Sequence, residues 1–370
     1  MMLRSRMRQE LRGRSLLPGL CCTWGSVPHM KIRLMGLVIF FLVLPLPLAS
    51  APKPLRVYFV DVEGGQSTLF VSPSGQSMLV DTGWPDHQDR DARRILAAAR
   101  DAGIHQIDYL VITHYHADHV GGAPQLAALM PIRNFVDHGQ PVKTYHTEPL
   151  YQAYLKARAK GRHILAKPGM QIPVRGMVVV VLTAAVKHIE DSLPGGGEHN
   201  PYCPASTQPI LDRSENAQSV GVLVSYGKFR MIDLGDLPSW MGEYNLVCPT
   251  DRVGQVEVYL TTQHAYAESG ASFLVDALRP VVTIADNGAH KGGAPEAFRV
   301  IHQSPGLEGF WDLHYSYSAD KELNARAPFI ANLTDHPDHG YWIKLTALPN
   351  GAFTVTNQRN GKTETYHPRP

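Results

Sequence analysis

The sequence has few cysteines, little excess of either charge and no apolar run long enough for an ordinary membrane span. Only four of its 370 residues are Cys. None of the four lies in a CxxC-type cluster, which excludes the usual cysteine framework for structural zinc. Internal repeats and low-complexity tracts are also missing, so solenoids and disordered arrays are excluded. There is no HExxH helix, in which two His one turn apart grip a single metal. "DTG" occurs once, at 81–83. An aspartic protease needs two such carboxylates sharing a proton, so that chemistry is excluded as well.

Residues 1–51 hold seven Lys/Arg and one Glu, a net of +6, so the chain's +2 leaves −4 for residues 52–370. A mildly acidic body offers no electrostatic footprint for nucleic acid. Lys31 and Arg33 precede an apolar run from Leu34 to Leu48, and Ala49-Ser50-Ala51 follows it. This pattern predicts a signal peptide within residues 1–51, with the true start at Met30 or an extended n-region, and an exported product. A membrane anchor at residues 34–48 is the alternative. That run is interrupted by Pro45 and Pro47 and falls short of the roughly 20 residues a span needs. The mature chain is therefore expected to carry no span. Removing the signal also removes Cys21 and Cys22. Cys203 and Cys248 then remain in an oxidising compartment, where a disulfide is expected.

From residue 54 to 368 the chain reads as one α/β domain. "LRVYFVDV" (55–62), "STLFVS" (67–72) and "SMLVDTG" (77–83) predict strands with tight turns between them. Residues 89–103 predict a helix stopped by Gly103, and "IDYLVIT" (107–113) a strand buried on both faces. A short helix at 122–130, a strand at 132–139 and a helix at 148–161 follow. Beyond them come "VVVVLT", a hairpin turning at Tyr226-Gly227, and strands and helices alternating to residue 303. Such alternation implies sheets covered by helices. The Gly/Pro/Asn-rich segment 184–217 has no periodicity, and long loops of that kind are often functional. With 138–147 and 265–272, it is expected to shape substrate choice.

One stretch carries the chemistry. "LVITHYHADHVGG" (110–122) crowds His114, His116, Asp118 and His119 where an apolar strand meets a Gly-Gly turn. In extended backbone, side chains two apart point the same way. His114 and His116 can serve one metal, and Asp118 with His119 a neighbouring one. Imidazole and carboxylate suit zinc, and also manganese or iron.

This H-x-H-x-D-H run resembles the signature of the metallo-β-lactamase superfamily, and the resemblance extends from 55 to about 305. It is nearest to the branch that includes the hydrolase domain of ComEC-type competence proteins. "YFVDVEGGQSTLFV", "MLVDTG", "FRMIDLGD" and "VYLTTQHAYAES" follow that branch in order. The resemblance implies a four-layer αββα sandwich holding two divalent metal ions, zinc first, with manganese or iron as alternatives. It assigns Asp236 as the metal-bridging aspartate and His264 as the last His ligand. His138 is the best candidate for a further ligand to the first metal, ahead of His199 and His188. Asp81, at the end of a strand, is expected to orient a ligand His through its free ring N–H. Tyr115 and Tyr266 are expected on the substrate side. Asn216 and Asn287-Gly288 either face the pocket or form turns.

Two bound cations can bridge a water and lower its pKa toward 7. Asp118 would ligate the second ion and orient or deprotonate that water. The expected activity is hydrolysis of a small ester, lactone, amide or phosphoester. A competence-type nuclease and a non-catalytic binding protein are the rival readings.

Overall fold

The computed structural model describes residues 25, 26, 28, 52–85, 87–205, 212–336 and 340–368. Contacts separate Met1–Ser50 from a compact unit, Ala51–Pro370. The targeting segment expected at 30–51, the anchor at 34–48, and Cys21 and Cys22 lie outside the described residues. Among the described residues, no helix is long and apolar enough to cross a membrane.

Two sheets build the larger unit. The first runs, in spatial order, Thr363–Tyr366, Phe353–Asn357, Ile343–Ala347, Leu55–Phe59, Thr68–Val71, Ser77–Val80, Ile107–Val111, Ile132–Asp137 and Arg162–Leu165. Its early and late strands pair antiparallel, and pairing turns parallel from Ser77–Val80 onward. The second runs Ile330–Asn332, Gly309–His314, Val282–Ala285, Val258–Leu260, Phe229–Asp233, Gly221–Tyr226, Val178–Ala184 and Gln171–Ile172, with Lys187–His188 beside Val178–Ala184.

Side chains alternate across each strand, and that alternation makes the layers. Val57 and Phe59 join Val181, Val222, Met231 and Trp311 in the core that links the two sheets. Tyr58, between them, faces the other way. It packs with Leu69, Leu110 and the apolar stripe Ile95, Ala98 and Ala99 of helix Arg90–Asp101. On the far side, Leu223 and Ile232 pack with Phe273, Leu274 and Leu278 of helix Ser272–Leu278. The result is helices outside two stacked sheets, the expected sandwich.

The strands at 309–332 and 343–366 lie beyond the alternation legible in the sequence, although Ile343–Ala347 and Phe353–Asn357 alternate buried and half-buried residues. The segment 184–217 is tied down by a Cys203–Cys248 disulfide, with a Cα–Cα distance of 5.8 Å.

Asp312 is fully buried in Gly309–His314. Its Oδ2 accepts the Ala325 N–H at 2.8 Å and its Oδ1 has no partner. Burial pushes this carboxyl from 3.8 up to about 8. The folded chain thus keeps a proton that the unfolded chain releases, and stability falls as pH rises through that window. Asp312→Asn keeps an oxygen for Ala325 and has no proton to lose. Its urea midpoint should exceed that of the wild type at pH 9, by more than at pH 5. A midpoint lower by the same amount at both pH values would overturn this account.

Candidate metal centre

Four of the sequence-predicted residues arrive together because a strand ends abruptly. After Ile107–Val111 the chain stays extended through His116, then turns into the single helical turn Ala117–Val120. Gly122 follows, so close to the neighbouring strand end that a Cβ would lie 2.1 Å from the Thr82 carbonyl oxygen. Thr82 in turn donates its N–H and hydroxyl to the His119 carbonyl at 2.7 and 2.9 Å. The motif is therefore locked to the strand that carries Asp81.

The second sheet supplies the opposite wall. Gly235, at φ +56, packs against Thr113 and brings Asp236 to the motif. His264 arrives on three consecutive left-handed residues, Gln263, His264 and Ala265, at φ 51, 55 and 62. Such strained backbone persists only where the surroundings hold it. Here Gln263 N–H bonds to the Gly235 carbonyl, and the N–H groups of Gly293 and Ala294 bond to the His264 and Ala265 carbonyls. The Gln263 side chain accepts the Ser269 hydroxyl, so it is His264 that faces the centre.

Each imidazole is aimed from behind. Asp81 Oδ2 accepts His119 Nδ1–H at 2.7 Å, and Asp286 Oδ2 accepts His264 Nδ1–H at 3.2 Å. Both Nε2 atoms are then turned toward the centre, and they face each other at 3.2 Å. Asp118 Oδ2 lies 3.4 and 3.3 Å from them, and Asp236 Oδ1 lies 3.2 and 3.4 Å away. Asp236 Oδ1 is buried with no hydrogen-bond partner. Two imidazole nitrogens and two carboxylate oxygens pointed at one spot repel one another unless positive charge, as protons or as a metal ion, sits among them. Their N and O donors suit a divalent ion.

A second group shares the same aspartate. His114 Nε2 and His116 Nδ1 are 3.0 Å apart, and Asp236 Oδ2 is 3.9 Å from His114 Nε2. Thus Asp118, His119, Asp236 and His264 form one position, and His114, His116 and Asp236 form another.

The charges agree. Burial opposes ionisation of Asp118 and Asp236, yet the His119 charge, with His264, holds both carboxyls below the ordinary carboxylate value, and the surrounding carboxylates in return hold His119 and His264 above the ordinary imidazole value. In the metal-free centre the two imidazoles carry the positive charge as protons, which a bound metal ion would displace. Burial and the neighbouring His119 push His114 well below the ordinary imidazole value, which leaves its ring neutral and able to bind a cation.

Two expectations need correction. His138 is not among the converging donors. Its Nε2 donates to Glu215 Oε1 at 3.0 Å, and it borders a separate cavity of about 1010 Å³. The strand that ends at Asp137 delivers it beneath the Tyr115 ring, 4.5 Å away, rather than to the metal side. His188 lines the same cavity and His199 is exposed, so neither replaces it. Tyr115 does not face substrate. It is fully buried, packs against the tilted rings of Tyr151 and Tyr154, and donates its hydroxyl to the Gly139 carbonyl. Asn287 fastens its loop by donating to the Gly288 and His314 carbonyls, and Asn216 opens the short helix Asn216–Gln218.

Three residues of the centre were missed. Asp286 ends a strand, as Asp81 does. Glu215 accepts the Tyr115 and Val142 N–H groups and steadies the motif from below. Lys291 Nζ donates to Asp118 Oδ2 at 2.6 Å. A lysine between glycines, in "NGAHKGG" after an apolar strand, was the available signal. A third acidic group, Asp61, Glu63 and His314, already has its cation: Arg94 lies 2.8 Å from Asp61 Oδ2 and 3.0 Å from Glu63 Oε1.

Residues 60–201 match the family model for the metallo-beta-lactamase superfamily. With two sheets between outer helices, the chain has the α/β sandwich of the metallo-β-lactamase fold. A stretch of 104 residues is 33% identical to a hydroxyacylglutathione hydrolase of Stenotrophomonas maltophilia (strain R551-3), covering 27% of this chain and 37% of that protein. The chain thus spans little over a third of that relative's length. Similar solved structures include the metallo-β-lactamase-fold protein YhfI from Bacillus subtilis. It has 11% identity and a TM-score of 0.44, over 70% of this chain and 96% of that one. Zinc-bound PqqB from Methylobacterium extorquens has 13% identity and a TM-score of 0.35, over 56% and 71%.

Proposed function

We propose that this metallo-β-lactamase-fold chain is an exported hydrolase that holds two divalent ions and opens a small ester, lactone or amide. The observation that carries the reading is Asp236, whose two carboxylate oxygens face two different groups of donors. His114, His116 and Asp236 would hold one ion, and Asp118, His119, Asp236 and His264 the other. Such a pair, when bound, supplies Lewis acidity and a nucleophile at neutral pH.

The chain's own residues do the rest. Asp81 and Asp286 keep the His119 and His264 rings in one tautomer and one orientation. Asp118 stays ionised at the edge of the centre, where it can orient a water. His116 and Asp118 form one side of an opening of about 390 Å³, and Thr144, His146, Thr147 and Leu150 form the other. That volume suits a small molecule. The similarity to a hydroxyacylglutathione hydrolase supports trying acyl compounds first. Within the superfamily, the order of motifs supports the competence-like branch. Export is supported by the basic-then-apolar segment at 30–51 and by the Cys203–Cys248 bond, which fits an oxidising compartment.

The test is an assay of the zinc- or manganese-loaded chain on aryl esters, lactones, amides and phosphodiesters. Turnover of an ester, lactone or amide, abolished by chelator and restored by metal, is expected. Two bound ions with no turnover of any of them would favour a binding protein. Turnover confined to phosphodiesters would favour the nuclease reading.

A further inference from the structure

Lys291 is an unusual neighbour for a cation site. Its Nζ donates to Asp118 Oδ2 and to the Gly64 carbonyl, both at 2.6 Å. Two loops fix it there. Gly64, at φ +76, lies so close to the opposing loop that a Cβ would stand 2.9 Å from both Gly288 N and Lys291 Cβ. On the other side a Cβ on Gly292 would lie 2.1 Å from the His264 carbonyl oxygen. The ammonium is thus held by the same backbone that presents His264.

Its surroundings are those of a half-open slot. The Trp84 and Tyr266 rings stand 5.6 and 5.7 Å from Nζ, and the side chain keeps 26% of its exposure. An ammonium has three N–H donors, and two are taken here. A positive charge on Asp118 also weakens that carboxylate's hold on a metal ion. A neutral donor would orient Asp118 without that cost. A metal ion on Asp118 would itself satisfy the carboxylate and leave the ammonium to answer an incoming anion. One free donor on a point charge suits a single carboxylate oxygen better than a bidentate fork.

We propose that Lys291, walled by Trp84 and Tyr266, is the subsite for a carboxylate carried by the substrate. The inference rests on the acyl-hydrolase reading and narrows it to acidic acyl compounds.

The test uses the metal-loaded chain with Lys291, Lys291→Met and Lys291→Arg. Each is assayed on phenyl acetate and on phenyl hemisuccinate, titrated with succinate by calorimetry, and analysed for bound metal. In Lys291→Met, the preference for hemisuccinate should fall at least about tenfold through KM, and succinate binding should weaken comparably. Lys291→Arg should recover part of both. Equal losses on the two esters together with lost metal would overturn the subsite and make Lys291 a prop for Asp118. An ester preference and a succinate affinity unmoved in Lys291→Met would overturn it while leaving the hydrolase reading intact. Succinate bound through Lys291 by a chain that hydrolyses neither ester would sink the hydrolase reading and keep the subsite.

Discussion

Asp236→Ala should yield a chain that binds neither metal ion and turns over no substrate. The expectation follows from sharing. Asp236 Oδ1 faces His119 and His264, while Oδ2 faces His114, so one carboxylate serves both positions. Losing several kcal/mol of charge stabilisation corresponds to a fall of roughly 10³-fold or more in rate. His116→Ala is the contrast. It leaves Asp118, His119, Asp236 and His264 in place and should cost one ion. The fold should survive in both variants, because the cores that unite the layers contain none of these side chains. Elemental analysis per chain, with a thermal melt of the chelated proteins, checks this. Two ions retained in Asp236→Ala would remove the shared-ligand account.

What was legible in the sequence was local. His114, His116, Asp118 and His119 lie within six positions, and strand period plus a Gly-Gly turn were enough to converge them. Asp236 and His264 were reachable only through resemblance, since sheet pairing brings them across more than a hundred residues. The errors have the same physical origin. His138 and Tyr115 are residue types that serve metal sites or substrates, but which face a strand end presents depends on the layer beneath it. Here that layer is Tyr151, Tyr154 and Glu215. Lys291 was invisible for a related reason. Its role comes from a glycine contact between loops more than two hundred residues apart, at Gly64, and from a second at Gly292 against His264. The late strands 343–366 were missed because they are short and half-exposed, and they belong to a sheet whose other strands begin at residue 55.

Asp81 was expected to orient a ligand, and its contacts allow a sharper forecast. Its two oxygens accept three donors: Thr113 N–H at 2.8 Å, Thr113 hydroxyl at 2.6 Å and His119 Nδ1–H at 2.7 Å. Asp81→Asn keeps the shape but replaces one acceptor with an NH₂ group. The amide oxygen stays with the Thr113 N–H, so the NH₂ faces His119. His119 Nδ1 must then accept, and its proton moves to Nε2, the atom that faces His264, Asp118 and Asp236. A protonated Nε2 cannot bind a metal. The four-donor position should lose about 10- to 100-fold in metal affinity. Asp286→Asn should cost less, since its bond to His264 is longer, at 3.2 Å. Competition against a fluorescent chelator, run on both variants and on His116→Ala, measures these losses. An unchanged affinity in Asp81→Asn beside a large loss in Asp286→Asn would mean that His119 is not held by its Nδ1–H, and the tautomer argument would fail.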